Sequence, residues 1–355
     1  MDYIVLNGIN STTIPGLMIQ ALPPISKPLI RTQVDEIDGR DGDIVTKLGY
    51  SAYDKDVVIG LYGNYNIDNV IAFFNSSGTV IFSSEPTKYY KYEILSQIDF
   101  EKLIRYRTAT VTFHVQPFKY SAGEKTFVYT NQLMTITEGI KTVNGVTVSV
   151  NNGFMQCVGT ATEITNIMFK IDPFVLPAGS YVFRGFASGL NPDKVTLGFV
   201  YNSSSVSFGN ITLANNEVVS ISEVKSQSQI YNNLYLHFEP GKVDFNFVLQ
   251  LAEAENLGFD IYNNGNYYSK PKIEISGAGT VNLSLNNKQI FVINLSNDGY
   301  ITIDADKMNA YNGAMLKNRS VLGDYGLFNL IPGRNTISYT GMVTGVKIKD
   351  YSRWI

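Results

Sequence analysis

The chain of 355 residues has one cysteine, Cys157, one tryptophan, Trp354, and two histidines, His114 and His237. A lone cysteine excludes an intramolecular disulfide and a cysteine-rich zinc centre, so Cys157 is read as a small packing residue. Both histidines sit in runs that alternate apolar and polar residues and are read as strand residues. No nucleophile motif accompanies them: GFASGL, 185–190, is not Gly-x-Ser-x-Gly. A glycine-rich phosphate loop is also missing. Acid pairs such as Asp304/Asp306 and Glu253/Glu255 are not set across a cleft as glycoside hydrolysis requires, and alternating acids of this kind are expected to face solvent. The expectation is a non-enzymatic protein with no catalytic residues, no cofactor and no metal.

Charge is scarce as well, at 17% of residues, and Lys+Arg 28 against Asp+Glu 31 leaves a net charge of -3. Without a basic excess, neither nucleic acid nor an anionic membrane is the main partner. No apolar run reaches the roughly 18 residues that a spanning helix needs, so no membrane insertion is expected. The opening MDYIVLNGIN carries an acid where a signal peptide has bases, which points to synthesis in the cytoplasm.

What the chain has is Tyr 23, Phe 20 and Gly 30, a balance that favours strands and protein surfaces over helical bundles. The length suits two or three domains at roughly 100 to 200 residues each. Stretches such as TATVTFHVQPF (108–118) and KVDFNFVLQL (242–251) alternate with period two, and Gly, Asn, Pro and Asp separate them. The fold class is mainly β. In NIDNVIAFFNSSG, Ile67, Val70, Ile71 and Phe74 follow helical spacing behind an Asn66 cap, which predicts one amphipathic helix in the N-terminal third.

VDEIDGRDGDI, 34–44, packs five acids around Gly39 and Gly42. An EF-hand needs oxygen ligands at positions 1, 3 and 5 with Gly at 6 and Glu at 12, and no register of this loop meets that. A pair of tight turns explains it better, with the glycines supplying positive φ and the Asp side chains bonding to nearby amides.

That turn opens an ordered series. It is followed by a strand pair around DKDVVIGLYG (54–63), the helix, GTVIFSSEPTKYYKYEIL (78–95) and TATVTFHVQPFKY (108–120). The series resembles the ring-forming N-terminal domain of distal tail proteins of long-tailed, non-contractile bacteriophages. The matching residues are Gly39, Arg40, Asp41 and Gly42 in the turn, Glu85, Pro86 and Tyr89 after the helix, and Gln116, Pro117 and Phe118 at the exit of the last strand.

The last third, YNNGNYYSKPKIEISGAGTVNLSLNN (262–287) through GLFNLIPGRNTISYTG (326–341), resembles the galectin-like β-sandwich of the same family. Gly265 and Gly277 are expected to mark turns, Ile273 and Ile275 to share a face, and Trp354 to pack on the sandwich or the N-terminal domain. Galectin's sugar-reading residues are absent, so this likeness is one of fold.

Between the two, about 120 residues exceed the family spacing. Their aromatic-rich strands and Gly/Asn turns suggest an inserted jelly-roll-like sandwich of the carbohydrate-binding-module type. The expected divisions are a belt domain at 1–126, a galectin-like sandwich at 127–131 and 255–355, and an insert at 132–254. Rings that stack on sugars and amides that meet hydroxyls make Tyr201, Asn202, Tyr231, Asn232 and Tyr235 the candidate glycan contacts.

The resemblance implies a virion protein at the distal end of the tail. Its implied partners are its own copies in a homohexameric ring, the tail tube protein and the tail-tip protein, with a receptor-binding protein and host cell-wall glycan as further candidates. DNA is implied only in transit through the channel. The alternative is a free-standing glycan-binding β-sandwich adhesin or receptor-binding protein, which leaves the N-terminal series without a purpose.

Overall fold

The computed structural model describes all residues except 1, 75–76, 124–125, 131, 137–138, 152–153, 202–206, 255–257 and 296–297, and the side chains of 151 and 207 are left aside. The chain is mainly β, as the period-two alternation predicts. Three large hydrophobic cores follow one another along it.

The first is built from β1 (Ile4–Leu6), β2 (Ile9–Asn10), β3 (Leu17–Ala21), β4 (Ile30–Asp35), β5 (Ile44–Tyr50), β6 (Tyr53–Leu61), β7 (Ser77–Phe82), β8 (Lys88–Glu93) and β9 (Thr108–Ser121). All but β4 and β5 share one sheet in the order β2-β1-β7-β8-β9-β6-β3. The alternation in β9 turns Ala109, Val111, Phe113 and Val115 inward. The expected strand pair at 54–63 is one strand, β6, whose partners are β3 and β9.

Helix α1 (Ile67–Phe73) forms behind Asn66, whose side-chain oxygen accepts from the amides of Asp68 and Asn69. Its buried face differs from expectation: Ile71 is 44% exposed, and Phe73 packs inward together with Val70. Ile67, Val70 and Phe74, the C-cap, do pack on the core as the spacing predicts. A second helix, α2 (Phe100–Tyr106), was not expected. It is capped by the Asp99 carboxylate and buries Leu103 alone, which leaves no apolar stripe to read.

β10 (Phe127–Thr130) pairs with a strand near the chain's end and is described with it below. The second core lies between two sheets formed by β11 (Gly139–Val143), β12 (Val146–Asn151), β13 (Phe154–Ala161), β14 (Thr165–Leu176), β15 (Gly179–Leu190), β16 (Val195–Val200), β17 (Ser207–Thr212), β18 (Val218–Lys225), β19 (Gln229–Phe238) and β20 (Gly241–Glu253). One sheet runs β11-β12-β13-β20-β15-β18 and the other β14-β19-β16-β17. Phe183, Phe199, Phe208, Phe245 and Phe247 fill the space between them. Cys157 is buried among them, and burial pushes its thiol up and away from reactivity.

The third core belongs to β21 (Gly258–Asn263), β22 (Lys272–Leu285), β23 (Lys288–Asn294), β24 (Tyr300–Asp304), β25 (Asn309–Asn312), β26 (Met315–Leu316), β27 (Val321–Gly323) and β28 (Gly333–Lys349), with β10 on the far side of β28. Ile273 and Ile275 are both buried on one face. Gly277 does not mark a turn. It lies inside β22 at a register shift, where a Cβ would stand 2.0 Å from the carbonyl oxygen of Met342. Asp304 does not face solvent: it is 5% exposed, accepts from the amide of Lys307 and pairs with Lys272 at 3.4 Å.

Two junctions tie the cores together. Between the second and third, Phe186 packs on Ala278 and Met342, and the buried Gln250 side chain donates to the carbonyl of Val343 while accepting from Arg184. Between the first and third, β29 (Arg353–Trp354) pairs with Tyr120 and Lys119 of β9. The guanidinium of Arg353 is 2% exposed and stacks 4.0 Å from the ring centre of Phe118 and 4.8 Å from that of Tyr268, while its Nε donates to the carbonyl of Tyr268. Gly265 abuts this residue, with a Cβ there only 1.8 Å from the Arg353 carbonyl oxygen. Trp354 lies under the Lys88 ammonium, so it packs on the first sheet.

Arg353→Ala is expected to cost about 2 kcal/mol or more at this junction, because a desolvated cation–π contact is lost with its hydrogen bond. Scanning calorimetry checks it, the expected result being a single unfolding envelope that separates into distinct transitions. Arg353→Lys recovers little, since an ammonium cannot stack as a plane.

Candidate functional site

The loop that opens the family-like series is the tip of an arm. β4 and β5 pair only with each other, from Ile30↔Tyr50 to Asp35↔Ile44, and the hairpin leaves the main sheet. Gly39 and Gly42 turn the tip with φ of 82° and 76°, and the Arg40 amide bonds to the Ile37 carbonyl. Gly39, Arg40, Asp41 and Gly42 are all exposed, with open space around both glycines. The cross-strand pair Val34 and Val45, 51% and 58% exposed, and Leu48, 54% exposed, lie bare on the arm. An isolated two-stranded hairpin is marginal in water, and these apolar side chains are left more than half exposed.

The arm is anchored at its base. Tyr50 meets Phe118 and Tyr267 edge to face at 5.8 and 5.6 Å, and the Ser51 amide bonds to the Leu29 carbonyl. Phe118 therefore serves two contacts, the arm's base and the Arg353 cage. Pro117 explains how it reaches both. The β9 ladder is interrupted between Val115 and Lys119 on both sides, and a residue without an N–H is tolerated in that gap. Gln116 is exposed beside it.

Glu85, Pro86 and Tyr89 are structural. Pro86 follows Glu85 in a turn closed by the Lys88 amide on the Glu85 carbonyl. The Glu85 carboxylate accepts from Lys119 at 2.9 and 3.2 Å and from the Tyr90 hydroxyl at 3.0 Å. Burial alone would raise its pKa, but the bonds from Lys119 and Tyr90 and the charges of Lys119 and Lys88 outweigh this and hold it below the ordinary value of 4.5. Lys55, 3% exposed, sits over the ring of Tyr90 and donates to the Pro24 carbonyl. Tyr89 stacks on Tyr120 and donates to Asp350 of the third body.

The described candidate glycan contacts do not share one exposed face. Tyr201 is 46% exposed at the end of β16, and Asn202 lies outside the described residues. Tyr231 is 1% exposed in the core, stacked on Phe174 with its hydroxyl on Gln229, so no sugar reaches its ring. Alternation along β19 is shifted near Asn232, which is half-buried and accepts from Asn233. Tyr235 does lie on the outer face of the four-stranded sheet. Its hydroxyl donates to Asn166, whose side-chain oxygen is also 2.8 Å from His237. His237 lies in a strand as expected, but its pairing with Asn166 is not readable from the sequence, because only the register Asn166↔His237 brings residues 71 positions apart together.

No protein-family model matches the chain, and no curated protein matches it. Among the solved structures it is similar to are a phage hub protein and chains of a phage baseplate. The crystal structure of the SPP1 Dit protein, described as a paradigm of the hub adsorption apparatus in phages that infect Gram-positive hosts, is similar over 100% of both chains with 11% identity and a TM-score of 0.40. A chain of the phage P2 baseplate, activated with calcium, is similar over 100% of this chain and 98% of its own at 9% identity and a TM-score of 0.38. With strontium, the P2 baseplate gives 70% and 97% coverage, 10% identity and a TM-score of 0.26.

Glu85→Gln is expected to destabilise the first body by about 3 to 5 kcal/mol, since it strands the buried Lys119 ammonium. Because the folded pKa of Glu85 is depressed, its contribution is present above its unfolded value near 4.5 and is lost as pH falls through the folded value. Urea titrations from pH 7 to pH 3 check both effects: the wild type loses stability through this acidic window, and the variant loses less.

Proposed function

We propose that the chain is a structural hub at the distal end of a bacteriophage tail, a virion protein without enzymatic activity. In this reading residues 1–126 are a belt domain, 127–131 with 255–355 a galectin-like sandwich, and 132–254 an inserted module. Six copies close a ring that joins the tail tube protein to the tail-tip protein and lets DNA pass. The insert points to host cell-wall glycan and a receptor-binding protein docks on the periphery.

The observation that carries the reading is the arm. It leaves its own sheet, shows bare apolar residues, and is held at its root by the same Phe118 that joins the belt to the third body. A projecting element on one face of a protein whose sheet ends in the open strands β2 and β3 suits a head-to-tail contact that closes into a ring. The ordered series from the 39–42 turn to Gln116-Pro117-Phe118 supports the same family. The acids at 35–43 occupy the arm's tip, and negative charge there suits a channel through which duplex DNA slides without sticking.

Light scattering with negative-stain averages of the purified protein, alone and with tail tube protein, tests the reading. Six-fold rings are expected. Val45→Asp with Leu48→Asp is expected to leave monomers with an unchanged circular dichroism spectrum. Rings that survive these changes remove the arm from the contact, and a wild type that stays monomeric even on tubes overturns the hub.

A further inference from the structure

A wide opening lies away from the insert's outer face. It is a cleft of about 750 Å³ where the second body meets the third, walled by Phe154 and Val248 on one side and by Glu274, Ser276, Tyr300 and Lys347 on the other. A second hollow of about 420 Å³ shares Glu274, Tyr300 and Lys347 with it and continues to Tyr311 and Lys349. The two form one groove along the outer face of β22, β24, β25 and β28. From Ser276 to Lys272 the groove follows β22 for about 13 Å at the usual rise per residue.

Strand register fixes what lines it. Ser276 faces Tyr300, Glu274 faces Thr302 and Lys347, and Thr302 faces Tyr311. Tyr300 and Tyr311 thus stand diagonally on neighbouring strands, about 7 to 8 Å apart at their roots. Phe154 is 40% exposed, and its ring lies against Gly299, where a Cβ would stand 2.2 Å from it. Glu274 and Lys347 pair at 2.8 Å, so both offer hydrogen bonds with little net charge. Asp304 is turned into its pair with Lys272, and among the described residues Lys349 has no ion-pair partner.

We propose that this groove binds an oligosaccharide, and that it, not the Tyr235 face, is the principal glycan site. The inference rests on the reading that the chain works at the host surface. Half-exposed tyrosines give sugar faces a flat apolar partner, while Glu274, Lys347, Ser276 and Thr302 supply donors and acceptors for hydroxyls. A nucleic acid does not fit, because Glu274 lies mid-groove where a phosphate would run. Nor does a peptide strand fit, because the groove crosses a sheet face where the backbone groups are already paired, and strand addition needs an open edge. Hydrolysis does not follow either, since Asp304, the nearest second carboxyl, is occupied by Lys272 and the amide of Lys307. The insert supplies one wall through Phe154 and Val248, so the site is complete only when the second and third bodies are joined.

The test uses the full chain on an array of neutral and phosphate-bearing bacterial wall oligosaccharides and on purified wall polysaccharide, with titration calorimetry on the best binder. Tyr300→Ala and Tyr311→Ala are each expected to weaken binding roughly three- to tenfold, and Phe154→Ala to weaken it by a similar factor, while Tyr235→Ala leaves it unchanged. Ring mass by light scattering is followed for every variant, so that a failed assembly is not mistaken for a failed site. Binding lost with Tyr235→Ala but kept by Tyr300→Ala and Tyr311→Ala moves the site to the insert's outer face and overturns the groove. A wild type that forms rings yet binds no oligosaccharide or wall polysaccharide overturns the groove while leaving the hub intact.

Discussion

The buried guanidinium of Arg353 holds the first and third bodies in one piece. One of its terminal nitrogens is buried and meets no hydrogen-bond acceptor among the described residues, so the aromatic faces of Phe118 and Tyr268 take the place of water. The backbone of the same residue is used twice: it pairs with Tyr120 of β9 and bridges to Tyr267. Residues 118, 267–268 and 353 are therefore fixed together, although they lie far apart in the chain. Everything at the arm's root inherits that geometry, because Tyr50 packs on Phe118 and Tyr267.

This explains why a proline sits in the longest strand of the first sheet. Interrupting the ladder at Pro117 frees Phe118 from regular pairing and lets its ring serve both the cage and the arm. A few residues along β9, Lys119 returns to the sheet and closes the ion pair with Glu85. The Glu-Pro and Gln-Pro-Phe elements, which look unrelated in the sequence, meet through this short stretch of one strand.

The alternating runs made the strands legible, and the Asn66 cap made α1 legible, because both signals are local. α2 was not legible: seven residues that bury only Leu103 carry no stripe. Tyr231 was misread for a related reason. β19 alternates, but the pattern shifts near Asn232 and turns Tyr231 inward beside Phe208 and Phe174, opposite the stretch where the pairing with β14 changes register between Lys170 and Phe174. Asp304 looked like a solvent acid because its partner, Lys272, is brought in by a strand 32 residues earlier. Whatever depends on register across strands is invisible in a single run of letters.

The same reasoning separates two kinds of residue in the series that runs from the 39–42 turn to Phe118. The arm's tip residues Gly39, Arg40, Asp41 and Gly42 are exposed, with open space around both glycines, so burial does not account for their sequence pattern. Glu85, Pro86, Tyr89, Pro117 and Phe118 are explained by packing, since each closes a turn, fills a gap or completes a buried pair. A motif that mixes the two has a mechanical reading: the buried half sets the angle at which the exposed half leaves the body. An arm fixed at its root by a cage that also holds the third body has its direction set relative to that body.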